Sequence, residues 1–195
     1  MSSLIIDSNF ASLREATQNP PIPIPSKVYR KLSLLTVYYY SFDGQIHRGQ
    51  LVVHRSLKAE IKEIFARLLA IRFPIEKVKP ISMYGWDDEA SMADNNSSAF
   101  NFRPIGRKKD LCWSEHSFGW ALDLNPRLNP FRDEKGIISP SGATYDLSVP
   151  GTIIPGGPVV QLFLERVWVW GGNWITVKDY QHFEKVLVAR SKGAD

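Results

Sequence analysis

Cysteine is nearly absent from this 195-residue chain, with Cys112 its single example. One thiol excludes an internal disulfide and a cysteine-based zinc ribbon, and it leaves the fold compatible with either redox compartment. No apolar run reaches membrane-spanning length, so no membrane span is expected. No Lys/Arg run interleaved with aromatics occurs, which argues against nucleic acid as a partner. The HExxH pattern of the commonest zinc proteases is missing. Neither an internal repeat nor a low-complexity linker divides the chain, which favours one domain. The opening MSSLIIDSNF lacks the basic region and longer apolar core of a secretory signal. The expectation is a chain that works without one, begins after it, or is exported by another route.

What is present fits a globular protein, with 44% hydrophobic and 23% charged residues. Six tryptophans, seven tyrosines and ten phenylalanines can build an aromatic core. A net charge of +4 suits an anionic partner such as a cell-wall polymer, or is simply a solvated basic surface.

Residues 1–33 read as an extended lead-in, because NPPIPIPSK alternates proline with isoleucine. The remainder, 34–190, reads as the working domain. LLTVYYY (Leu34–Tyr40) and QLVVH (Gln50–His54), joined through an Asp-Gly, predict a β-hairpin. His54 has no companion at a ligand spacing and reads as a surface or capping histidine. Leu57, Ile61, Ile64, Phe65, Leu68 and Leu69 recur at helical spacing behind Ser56, a candidate N-cap. Pro80–Tyr84 reads as a short strand. A polar stretch follows, DDEASMADNNSSAFNFR, with Asp87, Asp88 and Asp94–Ser98 crowded together. It reads as a loop around a short helix, or as a cleft lining with Asn96 a candidate substrate contact. The Pro- and Gly-rich residues 125–158 predict a long irregular excursion. Val159–Trp168 predicts a helix ended by Gly171 and Gly172, HFEKVLVA a closing strand, and Ser191–Asp195 a frayed tail. Of Trp168, Trp170 and Trp174, the last is the one expected to face a cleft.

The chemistry concentrates in two segments. WSEHSFGWALDLNP (Trp113–Pro126) holds His116 and, seven positions later, Asp123 closing an apolar run. A carboxylate there is costly to bury without a compensating charge. KDYQHFE adds Asp179 and His182. Two histidines and one carboxylate are a frequent ligand set for catalytic zinc, with the fourth position left to water. On a straight strand His116 and Asp123 would face opposite sides, so the chain must break near Gly119. Asp179, three residues before His182, is placed to move protons beside the metal, and Arg103 to steady developing negative charge. The plainer alternatives are a structural His–Asp pair, a turn-capping Asp179 and a solvated Arg103. Glu184 is a rival ligand or a partner behind His182. Ser114 either binds substrate or caps a turn.

Ser114, His116, Gly119, Ala121 and Asp123 spell SxHxxGxAxD, followed far downstream by Trp-Gly-Gly-x-Trp and D-x-x-H-F. This order resembles the zinc D-alanyl-D-alanine carboxypeptidase and L-alanyl-D-glutamate endopeptidase family, to which the vancomycin-resistance DD-carboxypeptidases and several phage endolysins belong. The resemblance implies an α+β fold, a single domain with a central antiparallel sheet flanked by helices, as in the hedgehog signalling domain. It implies zinc held by His116, Asp123 and His182, Asp179 as general base, and Arg103 as the transition-state and substrate-carboxylate contact. It also implies a peptidoglycan stem peptide as substrate and therefore a cell-wall or periplasmic setting. Carboxypeptidase activity is the favoured reading. Endopeptidase activity and a non-catalytic zinc module are the alternatives.

Overall fold

The computed structural model describes residues 4–105 and 112–186. The tail from Ser191 and the last residues of the expected closing strand lie outside them. Near the N-terminus are β1 (Ile5–Ile6), α1 (Leu13–Ala16) and α2 (Ser26–Tyr29). The expected hairpin is present and longer than read, as β2 (Leu32–Tyr40) and β3 (Ile46–His54) pair antiparallel along their whole length. Strand alternation sends Leu35, Val37 and Tyr39 of β2, and Leu51 and Val53 of β3, into the main core. There they meet Ile61, Ile64, Phe65 and Leu68 of α3 (Lys58–Ala70), the face that helical spacing selects.

The start of that helix differs from expectation. Ser56 lies in a 3-10 turn (Arg55–Leu57), and the side chain of His54 accepts its N–H at 3.3 Å. His54 is therefore a capping histidine, but a buried one, stacked on Trp120 with ring centres 4.0 Å apart.

The opposite face of the hairpin carries a second cluster. Leu32 and Val52 meet Ala16, Ile81, Trp86, Phe100 and Phe102, with Phe10, Leu13, Ile22, Ile24 and Val28 of the lead-in packed against them. The lead-in is not wholly extended, since β1 adds a parallel strand beside β3 and α1 and α2 interrupt the rest.

Downstream elements are short: β4 (Lys77–Val78), α4 (Asp88–Ala93), β5 (Asn96–Ser97), β6 (Pro104–Ile105), β7 (Cys112–Trp113), β8 (Ala121–Asp123), β9 (Phe131–Arg132) and β10 (Ile138–Ser139). Then follow α5 (Pro158–Leu164), β11 (Trp168–Trp170), β12 (Lys178–Asp179) and β13 (His182–Lys185). Pro80–Tyr84 is not a strand; Ile81–Tyr84 is a 3-10 turn with Gly85 left-handed behind it. The helix at Val159 stops at Leu164, well before the glycines, because Val167 takes a positive φ of 59° and the chain enters β11.

The class is mixed α+β, as expected. In place of one central antiparallel sheet, the described residues form five small sheets, ordered β1-β3-β2, β10-β9-β12, β11-β13-β8, β4-β5 and β6-β7. The dense prolines and glycines of 125–158 keep strands there to two residues, so no continuous sheet can build across them.

Candidate metal centre

Asp123 and His182 face each other directly across the β8–β13 ladder. Cross-strand partners on one face lie within side-chain reach, so sheet register alone brings these two together. His116 arrives from a 3-10 turn (Glu115–Phe118). Ser114 caps that turn, its Oγ accepting the His116 N–H at 3.2 Å. Gly119 closes it with φ +69°, the break that the spacing of His116 and Asp123 requires. A Cβ at Gly119 would lie 2.4 Å from the His54 backbone nitrogen, so close packing against β3 also demands glycine.

The three donors converge. His116 Nε2 lies 3.2 Å from Asp123 Oδ2, His182 Nδ1 lies 3.0 Å from Asp123 Oδ1, and the two ring nitrogens are 3.1 Å apart. All three residues are buried and offer ligand atoms within 4.8 Å of one another. Ligands about 2.0–2.1 Å from a tetrahedral zinc would be spaced by roughly 3.3 Å, close to these separations. The outer nitrogens are held as well. His116 Nδ1 is hydrogen-bonded to the Ala99 carbonyl, which leaves Nε2 as the donor, and His182 Nε2 lies 3.2 Å from Glu184 Oε2. Glu184 thus contacts the ring nitrogen of His182 that does not face Asp123.

Electrostatics agree with a cation site. Burial alone would raise the Asp123 pKa, yet the charges and hydrogen bonds of His116 and His182 hold it well below the usual carboxylate range. Burial opposes a charged His182, but its bonds to Asp123 and Glu184 push its pKa up to about 10. Without a metal, a proton on His182 therefore supplies the positive charge that Asp123 needs. A divalent cation would take over that role, so the residues present fit zinc.

Asp179, on β12, lines the same cleft. Its Oδ1 is buried with no hydrogen-bond partner among the described residues. Burial is the largest influence on it and raises its pKa to about 6, against the attraction of His182. β12 reaches this position because Gly171 lets it approach, where a Cβ would meet the Asp179 carbonyl oxygen at 2.6 Å. The Trp-Gly-Gly sequence is therefore a packing device and does not end the preceding helix.

The cleft has a volume of about 670 Å³ and also includes Arg103, Ser114, Trp174, Asp88, Trp113 and Gln181. Arg103 is tied to the His116 turn, with its N–H donating to Ser117 Oγ at 3.1 Å. Trp174 is half-buried with its ring centre 5.4 Å from that of His182, while Trp168 and Trp170 are core residues. Asn96 is not brought to the cleft. It is 1% exposed, and its carboxamide bonds the Lys79 backbone and Ser91 Oγ. That bonding locks β5 beside β4, a structural role in place of the expected substrate contact.

Several cleft residues carry little signal in the sequence. Asp88 lies within the polar stretch, and Trp113 and Gln181 adjoin the two motifs, so adjacency is the only cue to them. The Ala99 carbonyl that orients His116 has none, because any residue carries a carbonyl.

A buried His–Asp–His cluster that could hold a divalent metal shares its cleft with a carboxylate of raised pKa and an arginine. Residues 107–185, which contain the cluster and Asp179, match the model of a peptidase family described as D-alanyl-D-alanine carboxypeptidase. The resemblance drawn from the motifs is borne out over that segment, rather less than half of the chain. No curated protein matches the chain, and no solved structure does. No helix among the described residues is long and apolar enough to cross a membrane.

Proposed function

We propose that this protein is a zinc peptidase hydrolysing peptidoglycan stem peptides, with removal of a terminal D-alanine as its activity. The observation that carries the proposal is the convergence of His116, Asp123 and His182 within the segment that matches the peptidase family.

Zinc, when bound, supplies Lewis acidity, bringing a water near neutral pKa and polarising the scissile carbonyl. The protein does the rest. His116 and His182 present oriented lone pairs because Ala99 and Glu184 occupy their outer nitrogens. Asp179, buried beside the cluster in the same cleft, is the carboxylate placed to accept a proton and return it to the leaving amine. Arg103 brings a fixed positive charge to the cleft, where negative charge on the attacked carbonyl can be met. Ser114 is turned to its own helical turn through one lone pair and remains a candidate substrate contact through its hydroxyl. Trp174 offers an apolar wall beside His182.

The test is incubation of the zinc-loaded protein with a purified stem pentapeptide and with muropeptides. Release of free D-alanine supports the proposal. A new amine on D-glutamate without D-alanine release would make the protein an endopeptidase. No cleavage at all, with zinc retained, would leave a non-catalytic zinc module.

A further inference from the structure

Arg103 does not face the cleft alone. Its Nη2 lies 2.6 Å from Asp88 Oδ2, a charge-assisted pair with both side chains about one-third exposed. Asp88 Oδ1 accepts from Asn101 Nδ2 at 3.0 Å, and Asn101, itself buried, donates its N–H to the His116 carbonyl at 3.2 Å. The carboxylate of Asp88 is thus fixed from behind by the same turn that carries His116. Arg103 Nε, in contrast, is buried with no acceptor among the described residues. The Arg103 side chain nevertheless lines the cleft and is about one-third exposed, so a ligand oxygen can reach its guanidinium.

We infer that Asp88 is a specificity-determining residue: it offsets the charge of Arg103 so that the guanidinium serves as a hydrogen-bond donor to neutral oxygens nearly as well as to carboxylates. An incoming carboxylate meets the attraction of Arg103 and the repulsion of Asp88 at similar range. A carboxamide or peptide carbonyl uses the donor and feels little of either charge. One unit charge a few ångströms away in a partly solvated cleft alters carboxylate affinity by about tenfold or more. The cleft should therefore accept D-amino acid amides alongside the free acids, and Asp88 is the reason. The inference rests on reading the cleft as a peptide-binding site.

The probes are N-acetyl-D-alanine and N-acetyl-D-alaninamide, titrated by NMR into zinc-loaded wild type, Asp88→Asn, Arg103→Gln and the double variant. The ratio of the two dissociation constants in wild type is the reference, because the zinc itself attracts the acid in every variant. Asp88→Asn should shift their ratio toward the acid by about tenfold. The same substitution in the Arg103→Gln background should move the ratio less than twofold. Asp88→Ser, also neutral, serves if Asp88→Asn does not fold. An unchanged ratio in Asp88→Asn overturns the inference, as does an equal shift without Arg103, or binding of neither probe by wild type. Loss of hydrolysis on stem peptides with the ratio shift intact would sink the proposed reaction and leave this inference standing.

Discussion

Asp179→Asn should make the metal-free protein more stable while abolishing the proposed hydrolysis. In the fold the Asp179 pKa rises from 3.8 to about 6, chiefly because its carboxyl is buried, with one oxygen left unpartnered. A raised carboxyl pKa favours the folded state when protonated. That benefit is complete below 3.8 and is lost as pH rises through about 6. Above pH 6 the ionised side chain therefore strains the fold. At about 1.4 kcal/mol per pKa unit, the cost at neutral pH is about 1–3 kcal/mol. Asparagine is nearly isosteric and carries no charge, so it removes the cost. Urea unfolding of chelator-treated wild type and variant at pH 3.5, 5 and 7.5 reads this directly. The variant should gain about 1–3 kcal/mol at pH 7.5, and the gap should close toward pH 3.5. Zinc stoichiometry should stay at the wild-type value while cleavage of stem peptide is lost. A variant no more stable than wild type at pH 7.5, or a gap independent of pH, would rule out burial of a charged Asp179 as a cost to the fold. It would show that Asp179 carries no stored charge strain available for proton transfer.

Three further outcomes follow from the same geometry. Gly119→Ala places a Cβ 2.4 Å from the His54 nitrogen at a φ of +69°, so it should cost about 2–4 kcal/mol by thermal unfolding and weaken zinc binding by displacing the His116 turn. Glu184→Ala removes the partner of His182 Nε2 and should lower zinc affinity by about 10–100-fold in competition with a chromogenic chelator. His182 in the metal-free protein is raised from 6.5 to about 10, so its contribution to stability is full below 6.5 and lost as pH rises through about 10. Zinc must displace that proton, so calorimetry in buffers of different ionisation enthalpy should find about one proton released per zinc at pH 7.5, and binding without proton release would contradict this origin of the shift.

Elements whose identity depends on local pattern are legible in the amino-acid sequence. Alternation writes the β2–β3 hairpin, and helical spacing writes the buried face of α3. The odd offset of His116 and Asp123 demands a break, and Gly119 supplies it with a left-handed φ. Features set by tertiary pairing are not legible there. Asn96 reads as a polar cleft residue, but its carboxamide stitches β5 to β4, and nothing local distinguishes the two uses. Gly171 reads as a helix stop, yet it lets the β12 backbone approach, a contact made with residues several positions downstream. The division of strands among five sheets follows from which two-residue segments meet, and no periodicity exists at that length. Asp88 gains its meaning only from its distance to Arg103.

The convergence of His116, Asp123 and His182 predicts that together they hold one divalent cation. The most direct test is elemental analysis of protein purified without added metal, alongside His116→Ala and His182→Ala. Wild-type protein should carry close to one zinc per chain, and each variant should lose it. Wild-type protein free of stoichiometric metal even after zinc supplementation, or variants that keep the wild-type amount, would contradict it.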